Sequence, residues 1–303
     1  MKILLIAGGW SSEREVSLRG ARSVAETLRG LGHDVQLYDL LHGFDALIDV
    51  ARQQDFAFIN LHGAPGEDGL VQAMLEQAHC PYQGSGPAGS FLALHKAAAK
   101  QIFCAAGLPT ADWAFLPVPP ASDWQPRMPF PLFVKSNTGG SSLHLGRATN
   151  REQLDALLSE IFSAGQEALL EPELRGREVT CGVLGTTALP PLLIEPIAGD
   201  FFDYESKYAA GGAREICPAP IGPELTALIQ DMALKAHQAL GLSGYSRADF
   251  ILGEDNSLTL LEVNTLPGMT GTSLVPQEAA AAGLDFGQLL EHLIELGLAR
   301  HKK

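Results

Sequence analysis

The first sixty residues alternate between short apolar runs and stretches of helical period, and this alternation constrains the fold more than any other feature. Lys2–Ala7 is an apolar run that ends in Gly8-Gly9. Val16–Leu31 follows, with apolar residues at Leu18, Ala21, Val24 and Leu28, the spacing of one helical face. Val35–Leu40, a helical Phe44–Arg52 and a strand-like Phe56–Asn60 continue the pattern. Strands joined by crossover helices pair in parallel, so this segment predicts a parallel sheet with helices on its faces. Ligands in such sheets sit beyond the carboxyl ends of the strands. The two loops there are Gly8–Glu15 and Leu61–Asp68.

The texture changes after Gly84-Ser85-Gly86. An alanine-rich helix through Lys96 and Lys100 is expected to run to Gly107-Leu108-Pro109, followed by a proline-rich stretch from Pro117 to Pro131. Leu132–Lys135, Ala168–Leu174 and Glu178–Leu184 read as strands around a helical Arg151–Phe162, which suggests a small α+β domain. A Gly/Tyr/Asp loop (Gly199–Gly212), a helix from Pro223 to Leu240, strands Arg247–Leu252 and Leu258–Val263, and closing helices complete the chain. With 303 residues, 46% of them hydrophobic, there is material for one large core or two to three modest ones.

Charge narrows the partners. The 21 basic and 35 acidic side chains leave a formal charge of −14, which disfavours nucleic-acid backbones and anionic membrane surfaces. An anionic small substrate needs locally placed Lys, Arg and metal ions. Cys80, Cys104, Cys181 and Cys217 form no CxxC pair, which fits a reducing compartment and neither a disulfide scaffold nor a zinc site. The opening MKILLIAGG lacks the pattern of a signal peptide, and no stretch reaches the roughly 18 to 20 apolar residues of a spanning helix. A cytoplasmic protein is expected.

Four segments carry candidate chemistry. Lys135-Ser136-Asn137-Thr138-Gly139-Gly140-Ser141-Ser142 is a strand end followed by a small-residue loop. Its amides could cradle phosphate, although the Lys precedes the glycines and no Walker A order exists. The alternative is an ordinary surface turn. Asp249, Glu262 and Asn264 lie on two late strands, and Glu262 and Asn264 share a strand face at i and i+2. Three oxygen donors from neighbouring strands suit Mg²⁺ better than they suit a solvated hairpin. Asn264–Leu274 is a long small-residue loop running from that strand into a helix N-terminus, a place that attracts carboxylates. The loop Gly8–Glu15 lacks GxGxxG and carries two glutamates, so a cationic guest suits it better than a pyrophosphate. Glu13 either binds an ammonium or interacts with the dipole of its own helix. His62 and His144 are candidate bases, with a structural role as the alternative.

Taken together, GGWSSEREVSL (8–18), LHGAPGEDG (61–69), YQGSG (82–86), LFVKSNTGGSS (132–142), DYESKY (203–208), SRADF (246–250) and NTLPGMTGTSLVP (264–276) resemble the D-alanine–D-alanine ligases of the ATP-grasp superfamily over essentially the whole chain. The resemblance implies an N-terminal Rossmann-like substrate domain (1–88), a central ATP-grasp domain (89–177) and a C-terminal ATP-grasp domain (178–303), with ATP sandwiched between two antiparallel sheets. It implies Lys96 and Lys135 on the α- and β-phosphates, Glu171 and Leu174 as the adenine hinge, Glu178 on the ribose, and Lys207 beside the transferred phosphate. Two Mg²⁺ ions, with Mn²⁺ as a substitute, would be held by Asp249, Glu262 and Asn264.

On the substrate side the resemblance puts the first D-alanine's ammonium on Glu13, with His62 helping to orient that substrate. Ser141 and Tyr208 would hydrogen-bond with Glu13 and close the loop. Arg247 and the Gly268 amide would face the tetrahedral oxyanion, and Ser273 with the Leu274 amide would take the second carboxylate. A homodimer and a role in peptidoglycan precursor synthesis are also implied. Against the family pattern, Ser136 stands for a Pro, Thr138-Gly139 for Arg-Glu, His144 for a Gly and Ser246 for a Gly. The altered loop leaves two other outcomes open: a paralogue joining a different amino-acid pair, and a nucleotide-binding homologue with weak chemistry.

Overall fold

A computed structural model describes residues 1–11, 13–139, 145–196 and 213–302. Its first unit is the expected one. Strands β1 (Lys2–Ala7), β2 (Asp34–Asp39) and β3 (Phe56–Ile59) pair in parallel in the order β2-β1-β3, crossed by helices α1 (Arg14–Gly30) and α2 (Phe44–Ala51). Ile3 to Ala7 are all buried, because a central parallel strand is covered on both faces and reads as a continuous apolar run. Gly8 and Gly9 follow with φ of 73° and 76°, a conformation that side-chain-bearing residues adopt only with strain. A Cβ on Gly8 would also meet the Asp39 carboxylate at 2.5 Å.

Helices α3 (Leu70–Gln77), α4 (Pro87–Leu94) and α5 (Lys96–Ala105) lead out of this unit. The single alanine-rich helix of the sequence reading is therefore two. His95, at φ −79° and ψ 90°, leaves helical space, and its Nδ1 accepts from the Ala98 amide at 3.1 Å. Alanine on both sides keeps the helical texture unbroken, so only this imidazole cap marks the break. As a result Lys96 is the first residue of α5.

Two antiparallel sheets follow. The smaller has the order β4-β7-β5-β6, from β4 (Ala114–Leu116), β5 (Leu132–Ser136), β6 (Leu145–Ala148) and β7 (Ala168–Pro172), with α6 (Arg151–Ser163) packed against it. The larger has the order β11-β10-β8-β12-β13. It comprises β8 (Arg177–Leu184), β9 (Thr187–Ala188, paired with β8), β10 (Leu192–Pro196), β11 (Ala213–Ile216), β12 (Tyr245–Leu252) and β13 (Leu258–Asn264), and is covered by α7 (Pro223–Ala239). Helices α8 (Leu274–Ala281) and α9 (Phe286–His301) close the chain.

The apolar cores depart from the contiguous ranges 1–88, 89–177 and 178–303, most plainly at two sets of helices. Leu289, Leu290, Leu293 and Ile294 of α9 join the core of the parallel sheet. Ala93, Ala99 and Phe103 of α4 and α5 join the core of the large sheet, with Val179, Phe250 and Leu260. In each case a helix buries its stripe on the sheet face that needs cover, wherever that sheet lies along the chain. The small sheet keeps its own core of Leu132, Val134, Leu154, Leu158 and Leu170.

Candidate active site

The site is built on the register of the large sheet. Residues directly opposite in an antiparallel pair share a face. Arg247 lies opposite both Asn264 and Gly182, and Asp249 opposite both Glu262 and Thr180. One face of the sheet therefore carries Thr180, Arg247, Asp249, Glu262 and Asn264, with Glu178 next along β8. The alternate residues Val179, Cys181, Val183, Ala248, Phe250 and Val263 form the other face and lie in the core. Strict alternation would put Leu260 beside Glu262, but the register jumps so that Phe250 opposes Leu260, leaving Leu261 as an extra residue. This β-bulge turns Leu258 and Leu260 into the core and starts the polar face at Glu262.

Asp249 and Glu262 on that face each have a cation. Arg247 donates through Nε and Nη2 to the two oxygens of Asp249 at 2.8 and 2.7 Å, and Thr180 donates to Asp249 at 2.8 Å. Burial opposes the Arg247 charge, but Asp249 outweighs it and raises the guanidinium further above its ordinary value. Lys96 Nζ is 3.1 Å from Glu262 and donates to the Gly139 carbonyl at 2.9 Å. Across the cleft, Lys135 and Glu171 are diagonal neighbours on one face of the small sheet and form an ion pair. Lys100 reaches the other Glu171 oxygen at 2.5 Å and Thr110 at 2.6 Å. Burial pushes the Glu171 carboxyl up, yet the two lysines outweigh it and hold it below its ordinary value.

Glu13 is buried and forms no hydrogen bond that caps its own helix α1. Its Oε2 lies beside Gly63, where a Cβ would stand 3.7 Å away. Glu13 is also the N-cap residue of α1, so both readings left open by the sequence stand. Neighbouring His62 Nδ1 is 4.0 Å from Glu67, whose Oε1 accepts from the Gly63 amide at 3.3 Å. Burial lowers His62, while burial and the Glu13 charge push Glu67 up to about 8.

A carboxyl raised in the folded state keeps its proton while the unfolded chain loses one. Stability should therefore fall from about pH 4.5 up to the folded value, at about 1.4 kcal/mol per pH unit. Glu67→Gln is expected to flatten this fall, and melting curves at pH 5 and pH 8 for parent and variant check it. Equal losses in both proteins would mean that Glu67 ionises normally.

At the far end, Ser273 is the N-cap of α8 and Leu274 its first residue, so the Leu274 amide belongs to the helix's unpaired first turn. Ser273 Oγ accepts from the Thr270 amide at 3.1 Å and lies where a Cβ on Gly268 would meet it at 2.9 Å. Gly268 thus lets the loop fold tightly against the helix start.

With this geometry in view, comparison with known proteins is decisive. The family described as "D-ala D-ala ligase C-terminus" matches residues 102–295. A protein of Desulfovibrio desulfuricans named D-alanine–D-alanine ligase is 71% identical over 303 residues, covering 100% of this chain and 99% of the relative. The chain belongs to the D-alanine–D-alanine ligase family. Among solved structures, the D-alanine–D-alanine ligase of Bacillus anthracis complexed with ATP superimposes with a TM-score of 0.88 at 32% identity, covering 100% of this chain and 99% of that one. The VanG D-Ala:D-Ser ligase of Enterococcus faecalis gives 0.82 at 28% identity, covering 98% and 99%. The fold is ATP-grasp, with the parallel-sheet unit in front of it.

Ten of the residues implied by the family resemblance meet in one cavity of about 500 Å³. It is lined by Glu13, His62 and Lys96, by Glu178, Arg247, Glu262 and Asn264 of the large sheet, and by Gly268, Ser273 and Leu274. Lys135, Glu171, Leu174 and Asp249 do not line it: Asp249 is held behind Arg247, and Lys135 is engaged with Glu171. Ser141, His144, Lys207 and Tyr208 lie outside the described residues.

Among the described residues no three His, Cys, Asp or Glu side chains gather into a metal cage. Two opposed carboxylates, each now paired with a cation, and one amide oxygen nevertheless fit Mg²⁺, which completes its shell with water and phosphate oxygens. Sequence reasoning missed Glu67, although it stands in the quoted LHGAPGEDG segment. It also missed Arg19, Glu215 and Thr272, which line the cavity, and Glu278. Glu278 is wholly buried, its two oxygens have no hydrogen-bond partner among the described residues, and burial holds it well above its ordinary value. In sequence it reads as one more surface residue of PQEAAAAG. Among the described residues no helix is long and apolar enough to cross a membrane.

Proposed function

We propose that the protein joins two D-alanines into D-alanyl-D-alanine using ATP, in the cytoplasm and as a homodimer, supplying peptidoglycan precursors. The observation that carries this reading is that one cavity is lined by the carboxylate of Glu13, by Arg247 with Gly268, and by the α8 N-terminus at Ser273 and Leu274. These three groups match the ammonium of a first amino acid, the reacting carbonyl, and the carboxylate of a second.

In the first step a carboxylate oxygen of D-alanine attacks the γ-phosphorus, and the bond to the β-phosphate bridging oxygen breaks to release ADP. In the second step the deprotonated amine of the other D-alanine attacks the acyl carbon. The resulting oxyanion faces Arg247 and the Gly268 amide until inorganic phosphate leaves. Lys96 and Lys135 bind the nucleotide phosphates, Glu178 takes the ribose, and the family resemblance assigns Lys207 to stabilising the charge that develops on oxygen. The backbone around Glu171 and Leu174 takes the adenine. Asp249, Glu262 and Asn264 hold Mg²⁺, which supplies charge neutralisation between the phosphates when bound. His62 orients the first substrate, and the family resemblance assigns Ser141 and Tyr208 to hydrogen bonds with Glu13 that would keep water from the acyl phosphate.

Phosphate release by the purified protein with ATP and Mg²⁺ tests this, comparing D-alanine, L-alanine and no amino acid, with products identified by mass. Release that depends on D-alanine and yields the dipeptide is expected. ATP binding without D-alanine-dependent release would overturn the reading.

A further inference from the structure

We infer that Asn137 is a positioning residue for the nucleotide phosphates, the buttress through which the phosphate loop fixes Lys96. This rests on the proposal above that Lys96 and Lys135 hold those phosphates. Asn137 has no exposed surface and does not line the cavity, so whatever it contributes passes through its neighbours.

Every polar atom of Asn137 is used. Its amide donates to the Glu167 carbonyl at 2.9 Å, and its carbonyl accepts from the Lys96 amide at 3.0 Å. Its Oδ1 accepts from the Ala97 amide at 2.9 Å, and its Nδ2 donates to Glu167 Oε2 at 2.8 Å. One residue of the loop thereby satisfies two of the four amides that a helix start leaves unpaired. His95 accounts for the other two: its Nδ1 takes the Ala98 amide at 3.1 Å, and its own amide donates to the Phe91 carbonyl at 3.0 Å.

The consequence is chemical. With all four amides engaged, α5 offers an anion no backbone donor, and positive charge reaches the cavity through the Lys96 side chain. The root of Lys96 is tied to Asn137 and its tip to Gly139, so the loop grips the lysine at both ends. Asn137 also follows Lys135 by two residues at the end of β5, which fixes the distance between the two phosphate lysines. The stem of the loop is stapled further: Ser136 and Thr138 both donate to Gln166 Oε1, at 3.1 and 3.3 Å. These are two of the positions at which the loop departs from the family pattern, and hydrogen bonds to Gln166 stand there in place of a proline and an arginine.

Asn137→Asp keeps an acceptor for the Ala97 amide but sets a carboxylate against Glu167. Affinity for a non-hydrolysable ATP analogue with Mg²⁺, measured by calorimetry without amino acid, is expected to weaken about tenfold, with the KM for D-alanine held within about twofold. The double variant N137D/E167Q restores a donor and acceptor in the reverse sense and is expected to recover affinity to within about threefold of the parent. A merely space-filling Asn137 would show no such recovery.

Should N137D fail to fold, Glu167→Ala, at a side chain 39% exposed, removes the Nδ2 anchor together with the 3.5 Å contact to His95 Nε2 and is expected to weaken the analogue about threefold. Analogue affinity unchanged in N137D, no recovery in the double variant, or an unaltered Glu167→Ala would each overturn the role of Asn137. Failure of the parent itself to bind the analogue would instead overturn the reading of the site.

Discussion

Asp249→Asn is expected to lower kcat about 10³-fold or more and to destabilise the protein by about 3 kcal/mol. The two losses have separate causes. Asp249 is nearly buried, and its oxygens are shared between the Arg247 fork and Thr180. Asparagine keeps the shape and one acceptor oxygen but removes the charge that offsets a guanidinium away from water. Breaking such a buried pair by neutralising one partner costs about 3 to 5 kcal/mol. In turnover, the same substitution removes one of two carboxylates proposed for Mg²⁺. Charge stabilisation by a catalytic metal is worth several kcal/mol in the transition state, and about 4 kcal/mol corresponds to about 10³ in rate. Phosphate release across a Mg²⁺ series, on protein shown to be folded by its melting curve, reads the second loss apart from the first. Turnover within about tenfold of the parent at every Mg²⁺ concentration would remove Asp249 from the metal site.

How far such a site can be read from sequence depends on whether its signal is local. Strands β1, β2 and β3 were legible because a buried parallel strand writes its burial directly as an apolar run. The pairing of Glu262 with Asn264 on one face was legible because strand period is two. The bulge at Leu261 was not, since Leu258, Leu260 and Leu261 satisfy several registers and only the partner strand selects one. The break at His95 was hidden for a related reason: an imidazole cap costs a run of alanines nothing that composition can show. Least legible were the counter-charges. Lys96 meets Glu262, and Lys100 meets Glu171, only after the fold has brought distant segments together. The family resemblance supplied residue roles, but nothing in the chain announced that these cations pair with the acids of the site itself.

Arg247 is where such pairing matters most for rate. Two of its five donors are committed to Asp249, which holds the guanidinium flat against the cavity wall. A fixed cation at the point where an oxyanion develops reorganises little during the reaction, and such preorganised groups are worth about 10² to 10³ in kcat. Arg247→Met is expected to lose about 10³-fold in kcat with ATP affinity held within about twofold, because the phosphate lysines Lys96 and Lys135 stand on other elements. Arg247→Lys separates charge from shape. An ammonium restores the positive charge but cannot span both Asp249 oxygens as a planar fork, so its head is not held in one place. It is expected to remain about 10²-fold below the parent. A lysine variant close to the parent would mean that charge alone suffices and that the Asp249 fork has no part in catalysis. A methionine variant close to the parent would place the developing oxyanion elsewhere, on the Gly268 amide alone.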